Sequence, residues 1–225
     1  MQALVGKRST DTHARVRMAH AAGVARLVEE ALAESQECAD PVGLAELTAA
    51  ALGHHLYEDT AVDRSEVKRL GTRIDLVIDG LTVRDRAQPA PVLDRRLVDA
   101  ARLIKLADLV DNTLAAAADL ARLGSDWARK RFLPTLTHVS RTVHAATVTE
   151  YPSAAQRLRE RLHAAMDRLN ANIAVQRERE QATPARPLAT PGPLVGDADV
   201  LAAHEESQLR EGWLVQGMHV FGGAA

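Results

Sequence analysis

Aromatic side chains are nearly missing from this chain, which has two tryptophans, two tyrosines and two phenylalanines in 225 residues. Sheets draw on aromatic and β-branched residues. Their scarcity, beside prominent alanine, leucine, arginine and glutamate, points to helices. Cysteine occurs once, at Cys38. That excludes an intramolecular disulfide and suits a reducing cytosol. No apolar run approaches the ~20 residues that span a bilayer, and the polar stretch from Met1 to Arg17 has no signal-peptide core. A large charge of one sign is also lacking: 28 basic residues face 30 acidic ones. A duplex nucleic acid would call for a basic excess. The expectation is a cytoplasmic protein with no membrane span and no nucleic-acid polymer as partner.

What is present is helical periodicity. Val16, Ala19, Gly23, Val24, Leu27, Val28 and Leu32 recur at helical spacing from about Thr12 to Ala33. Asp40-Pro41 reads as an N-cap followed by proline in the first turn, opening a helix expected to run through His54 and His55. Asp63 or Ser65 can cap a short helix that Gly71 ends, and Ile74, Val77 and Ile78 begin another face that stops near Gly80. Arg84 to Pro91 reads as a polar loop. Asp94 opens what looks like the longest helical pattern, reaching Leu123. Two amphipathic stretches follow, about Trp127 to Glu150, with Pro134 near its start, and Pro152 to Arg179. Beyond Gln181, Thr183-Pro184-Ala185-Arg186-Pro187 and Thr190-Pro191-Gly192-Pro193 read as a flexible linker, with a brief helix expected from Asp199 to Leu209. The predicted architecture is an all-α domain over residues 1–180 and a Pro-rich tail over 181–225.

The polar run His54-His55-Leu56-Tyr57-Glu58-Asp59-Thr60 places two histidines one helical turn before two carboxylates. On a continuous helix His54 would lie over Glu58 and His55 over Asp59. Imidazole is the commonest side-chain metal ligand, and a carboxylate one turn away can ligate, orient the ring or act as a base. So many polar groups after Leu47 to Leu52 are costly to bury unless they coordinate or catalyse something. Acids at a helix C-terminus also oppose the macrodipole, which disfavours Glu58 and Asp59 as a plain helix end. His20 and Asp108 are likewise polar residues among apolar neighbours. One divalent ion held by His20, His54, His55 or a water, and Asp108 would satisfy all of them, and such ligands suit Mn, Fe, Zn or Ni more than Ca.

Taken singly, these residues have plainer readings. His20 alone reads as a satisfied histidine, and Lys105, Asp108 and Asn112 alone read as a polar stripe on a solvent face. Asp111 reads as solvent-facing or as support for a ligand. His138, His144 and His163 have no matching partners, Ala115 to Ala118 suggests a close helix–helix contact, and Arg157 to Arg161 a solvated, ion-paired face.

The ordered set His20, then His54-His55-x-x-Glu58-Asp59-Thr60, Val77-Ile78-Asp79-Gly80-Leu81-Thr82, and Lys105-Leu106-Ala107-Asp108-Leu109-Val110-Asp111-Asn112-Thr113 resembles the HD-domain phosphohydrolases. Within them it is most similar to the RelA/SpoT-type hydrolase domain and its small stand-alone relatives, over roughly Lys7 to Asn112. The resemblance implies an HD-type helical bundle, a Mn-type ion, and hydrolysis of the 3′-pyrophosphate of the guanosine alarmone (p)ppGpp. It makes His20, His54 and Asp108 ligands, with His55 standing where the family has an aspartate. It makes Glu58 and Asp59 the pair that positions and deprotonates water. It places Asn112 at the nucleotide, with Lys7, Arg8 or Lys105 offsetting phosphate charge. Some stand-alone relatives act on other phosphorylated nucleotides such as NADPH. A rival reading keeps the HD fold as a catalytically silent binder of a nucleotide or protein, and His55 is the feature that favours it.

Overall fold

Asp40 accepts the backbone N–H groups of Val42 and Gly43, as its position before Pro41 predicts, and opens a helix. Asp63 does the same for Ser65, and Asp94 for Leu97. The computed structural model describes residues 11–37, 40–82 and 93–182, without the side chains of residues 11–16, Asp59 and Thr142. Lys7, Arg8, Cys38, the expected loop from Arg84 to Pro91, the Pro-rich tail and the helix expected from Asp199 to Leu209 lie outside the described residues.

The helices are α1 (Asp11–Ser35), α2 (Pro41–Leu52), α3 (Leu56–Asp59), α4 (Arg64–Leu70), α5 (Thr72–Leu81), α6 (Arg95–Leu123), α7 (Ser125–Trp127), α8 (Leu133–Ala145) and α9 (Pro152–Ala182). A π-helical segment, Ala128–Phe132, joins α7 to α8. There is no strand among the described residues, so the fold is all-α. No helix among them is long and apolar enough to cross a membrane.

Two boundaries and one relative length depart from the expected ones. The second helix does not run through His54 and His55. It stops at Leu52, and Gly53 to His55 form a turn before α3. A Cβ on Gly53 would meet Ile78 Cδ1 at 2.7 Å, so glycine lets this turn press against α5. The stretch after Trp127 ends at Ala145 rather than Glu150 and contains the π segment. There Leu133 N–H bonds to Ala128 O, five residues back. Pro134 has no N–H, and its ring would clash with the carbonyl four residues earlier, so a widened turn carries the backbone past it. The longest helix is α9, with 31 residues against 29 in α6.

Helix α6 is the axis of the bundle. Leu103, Ile104, Leu106, Ala107 and Leu109 are fully buried, so it is enclosed on nearly all sides along this stretch. Helix α9 lies along it with Leu158, Leu162 and Leu169 inside, while α1 packs on α2, α6 and α9, and α5 covers another flank of α6. Of the run Ala115 to Ala118, Ala116 and Ala117 are buried, Ala115 is half-buried and Ala118 is exposed. Within the run Arg157 to Arg161, Arg161 reaches Glu30 and Glu34 of α1, and Arg157 also reaches Glu34. This arrangement brings the middle of α1, the turn after α2 and the middle of α6 to one place.

Candidate metal centre

Three buried side chains meet there: His20 from α1, His54 from the turn, and Asp108 from α6. His20 Nε2 lies 3.1 Å from His54 Nε2 and 3.3 Å from Asp108 Oδ1, and His54 Nε2 is 3.9 Å from that oxygen. His55 joins them, its ring centroid 4.1 Å from that of His54. One ligand atom from each of His20, His54, His55 and Asp108 falls within 4.8 Å of all the others. At bond lengths of ~2.0–2.2 Å, neighbouring ligand atoms around one ion stand ~3–3.5 Å apart. The edges joining His20 to its two neighbours match that spacing. These four residues form a group able to hold a metal ion.

The rings are aimed by bonds on their far sides, which is how metal-binding histidines are usually fixed. His54 Nδ1 donates to Ala51 O at 2.6 Å, leaving Nε2 facing the cluster. His20 Nδ1 bonds the half-buried Asp111 at Oδ2, 2.7 Å away. Asp108 is fully buried; Lys105 Nζ sits 2.5 Å from its Oδ2 and Asn112 Nδ2 donates to its Oδ1 at 2.6 Å. Asn112 Oδ1 is buried without a hydrogen-bond partner. The stripe Lys105, Asp108 and Asn112 is therefore an interior one, not a solvent face.

Burial pushes His54 down, helped by the charges of His55 and His20 and opposed by Asp108, to a pKa of about 3. His54 is thus neutral at pH 7, as a ligand must be. His20 also meets a burial penalty, but hydrogen bonds and charge from Asp108 and Asp111 outweigh it and leave its pKa raised. Burial opposes ionisation of Asp108 too, yet Lys105 and the two histidines hold its carboxyl well below the ordinary range. Asp108 thus stays ionised and favours the proton on His20, while His54 beside it stays neutral.

The two parallel His–carboxylate rows do not form. Because the chain turns at Gly53, His55 Nδ1 meets Glu58 Oε2 at 3.0 Å, three residues on, instead of lying over Asp59. Asp59 closes α3, and its side chain lies outside the described part. Between them, Tyr57 faces the other way and donates to Asp75 Oδ1 at 2.6 Å. Asp75 is fully buried and also takes Arg64 Nε at 2.7 Å, while Arg64 reaches Asp79 Oδ2 at 3.0 Å. Burial opposes the charge on Asp75, but Arg64 and Tyr57 more than offset it and lower its pKa. In the sequence, this network shows only as two acids four apart within the otherwise apolar Ile74-Asp75-Leu76-Val77-Ile78-Asp79.

Of His138, His144 and His163, read as having no matching partners, His144 on α8 stacks on His163 of α9 at 4.8 Å. No protein-family model, curated protein or solved structure matches this chain.

Proposed function

We propose that this protein is a metal-dependent phosphohydrolase acting on a nucleotide, with (p)ppGpp as substrate and pyrophosphate released from its 3′ position. The observation that carries the reading is the convergence of His20, His54 and Asp108, residues far apart in sequence, in the order that the RelA/SpoT resemblance assigns to ligands. A divalent ion of the Mn type, bound there, supplies positive charge to a phosphoryl oxygen and lowers the pKa of water. His20 and His54 present ring nitrogens and Asp108 the negative charge, which Lys105 and Asn112 keep ionised and aimed. Glu58, anchored by His55, and Asp59 orient a water and take its proton. The water oxygen bonds to the phosphorus next to the 3′ oxygen, the bond between them breaks, and the 3′ oxygen gains a proton. Asn112 lines the nucleotide, and Lys7 and Arg8 offset phosphate charge.

The test is incubation of the purified protein with Mn and, separately, ppGpp, pppGpp and NADPH, following product by chromatography. Pyrophosphate release from ppGpp that falls about a hundredfold in Glu58→Ala supports the reading. Turnover of NADPH alone moves the substrate while keeping the reaction class. No product from any of the three, with Mn shown to be bound, sinks the hydrolase. A gain of activity in His55→Asp would mean that the imidazole weakens the site.

The silent-binder reading has one observation of its own. Both oxygens of Asp108 already have partners in Lys105 and Asn112, so its negative charge is compensated without an ion. Metal content separates the two readings. Protein that carries no transition metal and takes up none on titration favours the binder.

A further inference from the structure

A cavity of about 280 Å³ opens away from the histidine cluster, towards one end of the same helices. Leu32 borders it from α1, twelve residues beyond His20, and Arg96 borders it from α6, twelve residues before Asp108. At ~1.5 Å per helical residue, each offset is about 18 Å. The cavity is therefore separate from the metal centre.

Its lining divides by chemistry. Leu32, Leu44 and Leu47 supply an apolar wall. Three carboxylates also border it; Glu37 and Asp40 are committed to backbone, and Glu150 lies loosely beside Arg96. Glu37 takes the N–H groups of Ser153 and Ala154 at 2.8 Å, at the start of α9. Asp40 takes those of Val42 and Gly43 at the start of α2. The guanidinium groups are held far more loosely. Arg73 has Tyr151 Oη at 3.5 Å and Glu46 Oε2 at 3.6 Å, and Arg96 has Glu150 Oε2 at 3.8 Å. These contacts are long beside the ~2.7–2.9 Å of a well-formed charged hydrogen bond. Guanidinium forks pair in a planar, two-point manner with carboxylate and phosphate oxygens.

We propose that this cavity binds a small organic oxyanion with a short apolar body, its charged end on Arg73 and Arg96 and its body on the leucine wall. Tyr151 Oη, beside Arg73, adds a hydroxyl donor at the charged end. The anion takes the place of Glu46 and Glu150, whose contacts with the two arginines are stretched, while Glu37 and Asp40 stay bound to helix N-termini. The site requires neither the metal nor the hydrolase activity.

The test is a titration of the whole chain with benzoate and with phenyl phosphate, in EDTA, read by two-dimensional amide and arginine Nε NMR. Benzyl alcohol serves as the uncharged match for the apolar body. Saturable shifts at Gly43, Leu44, Tyr151 and the two arginines are expected with at least one of the oxyanions. Arg96→Gln and Arg73→Gln should each weaken that binding about tenfold, the loss of one charge-assisted contact. The Arg96 side chain is 74% exposed, so its replacement leaves the fold intact. His54→Ala should leave the affinity unchanged. Three results overturn the proposal: no saturable shift with either oxyanion, benzyl alcohol binding as tightly, or affinities indifferent to both arginine variants.

Discussion

Gly23 shows how one missing side chain serves the site. A Cβ there would collide with Asp111 Oδ1 and lie 3.0 Å from its Cγ, so Asp111 reaches His20 across an empty position on α1. Gly23→Ala in a helix interior would ordinarily stabilise by about 0.5–1 kcal/mol. Here it should leave the melting temperature level or slightly higher while displacing Asp111 from His20. Metal affinity, measured by calorimetric titration, should drop about 10–100-fold, the usual effect of losing a supporting hydrogen bond. Unchanged affinity would remove Asp111 from the account. Asp99 is a second buried acid, at a structural position. Its Oδ2 takes Thr149 N, Thr149 Oγ1 and Glu150 N at 2.7, 2.7 and 3.0 Å. Burial alone would raise its pKa, but these donors and Arg102 lower it. A lowered carboxyl contributes its stability above the unfolded value of ~3.9 and loses it as pH falls from there through the folded value. Urea unfolding should therefore show Asp99→Ala less stable by about 2–4 kcal/mol at neutral pH, because buried donors lose their acceptor. Below about pH 4 the gap to the parent protein should narrow. A gap that widens in acid would contradict this role. Nothing around Asp99 in the sequence signals the bond, because its partners lie fifty residues on. His20 and Asp108 were legible only through their place in an ordered motif.

The four-residue helix α3 carries Glu58, the base in the proposed mechanism. With four residues, α3 has too little internal hydrogen bonding to hold itself. Tyr57 fastens it to Asp75 on α5, and Arg64 of α4 grips the same carboxylate. Tyr57→Phe removes one hydrogen bond and leaves Asp75 paired with Arg64, so stability should fall by about 1 kcal/mol. If Glu58 acts as the proposed base, turnover should fall more steeply than that loss suggests, with KM nearly level, because the base is misaimed while the substrate still binds. Equal turnover in parent and variant would show that α3 is held by other means. This element also marks where pattern reading stopped short. Capping residues Asp40, Asp63 and Asp94 foretold three helix starts, because a cap is a local interaction. The break at Gly53 depends on Ile78, which is distant in sequence, so the apolar run before it looked continuous. Pro134 was visible in the sequence, but the π segment before it was not; Trp127 and Phe132 stack and are buried across that segment.

At the scale of the whole molecule, the cluster joins α1, the turn after α2, and α6, the helix that packs most extensively on α9. Unfolding must separate these side chains, and the unfolded chain has no comparable arrangement. An ion held by His20, His54, His55 and Asp108 should consequently stabilise the fold by mass action, about 2.7 kcal/mol at a free concentration a hundred times Kd. For a chain of this length each kcal/mol moves Tm by roughly 2–4 °C. Saturating Mn, or whichever transition ion binds most tightly, should then raise Tm by about 5–10 °C, and EDTA should reverse the rise. His54→Ala should abolish the shift without unfolding the protein, whereas Arg96→Gln, at the far cavity, should leave it whole. Differential scanning calorimetry across Mn, Zn, Fe and Ni would read all of this without a substrate. If no transition ion moves Tm, the convergence of these side chains is a self-contained polar core, in which Lys105 and the proton on His20 supply the charge that Asp108 needs.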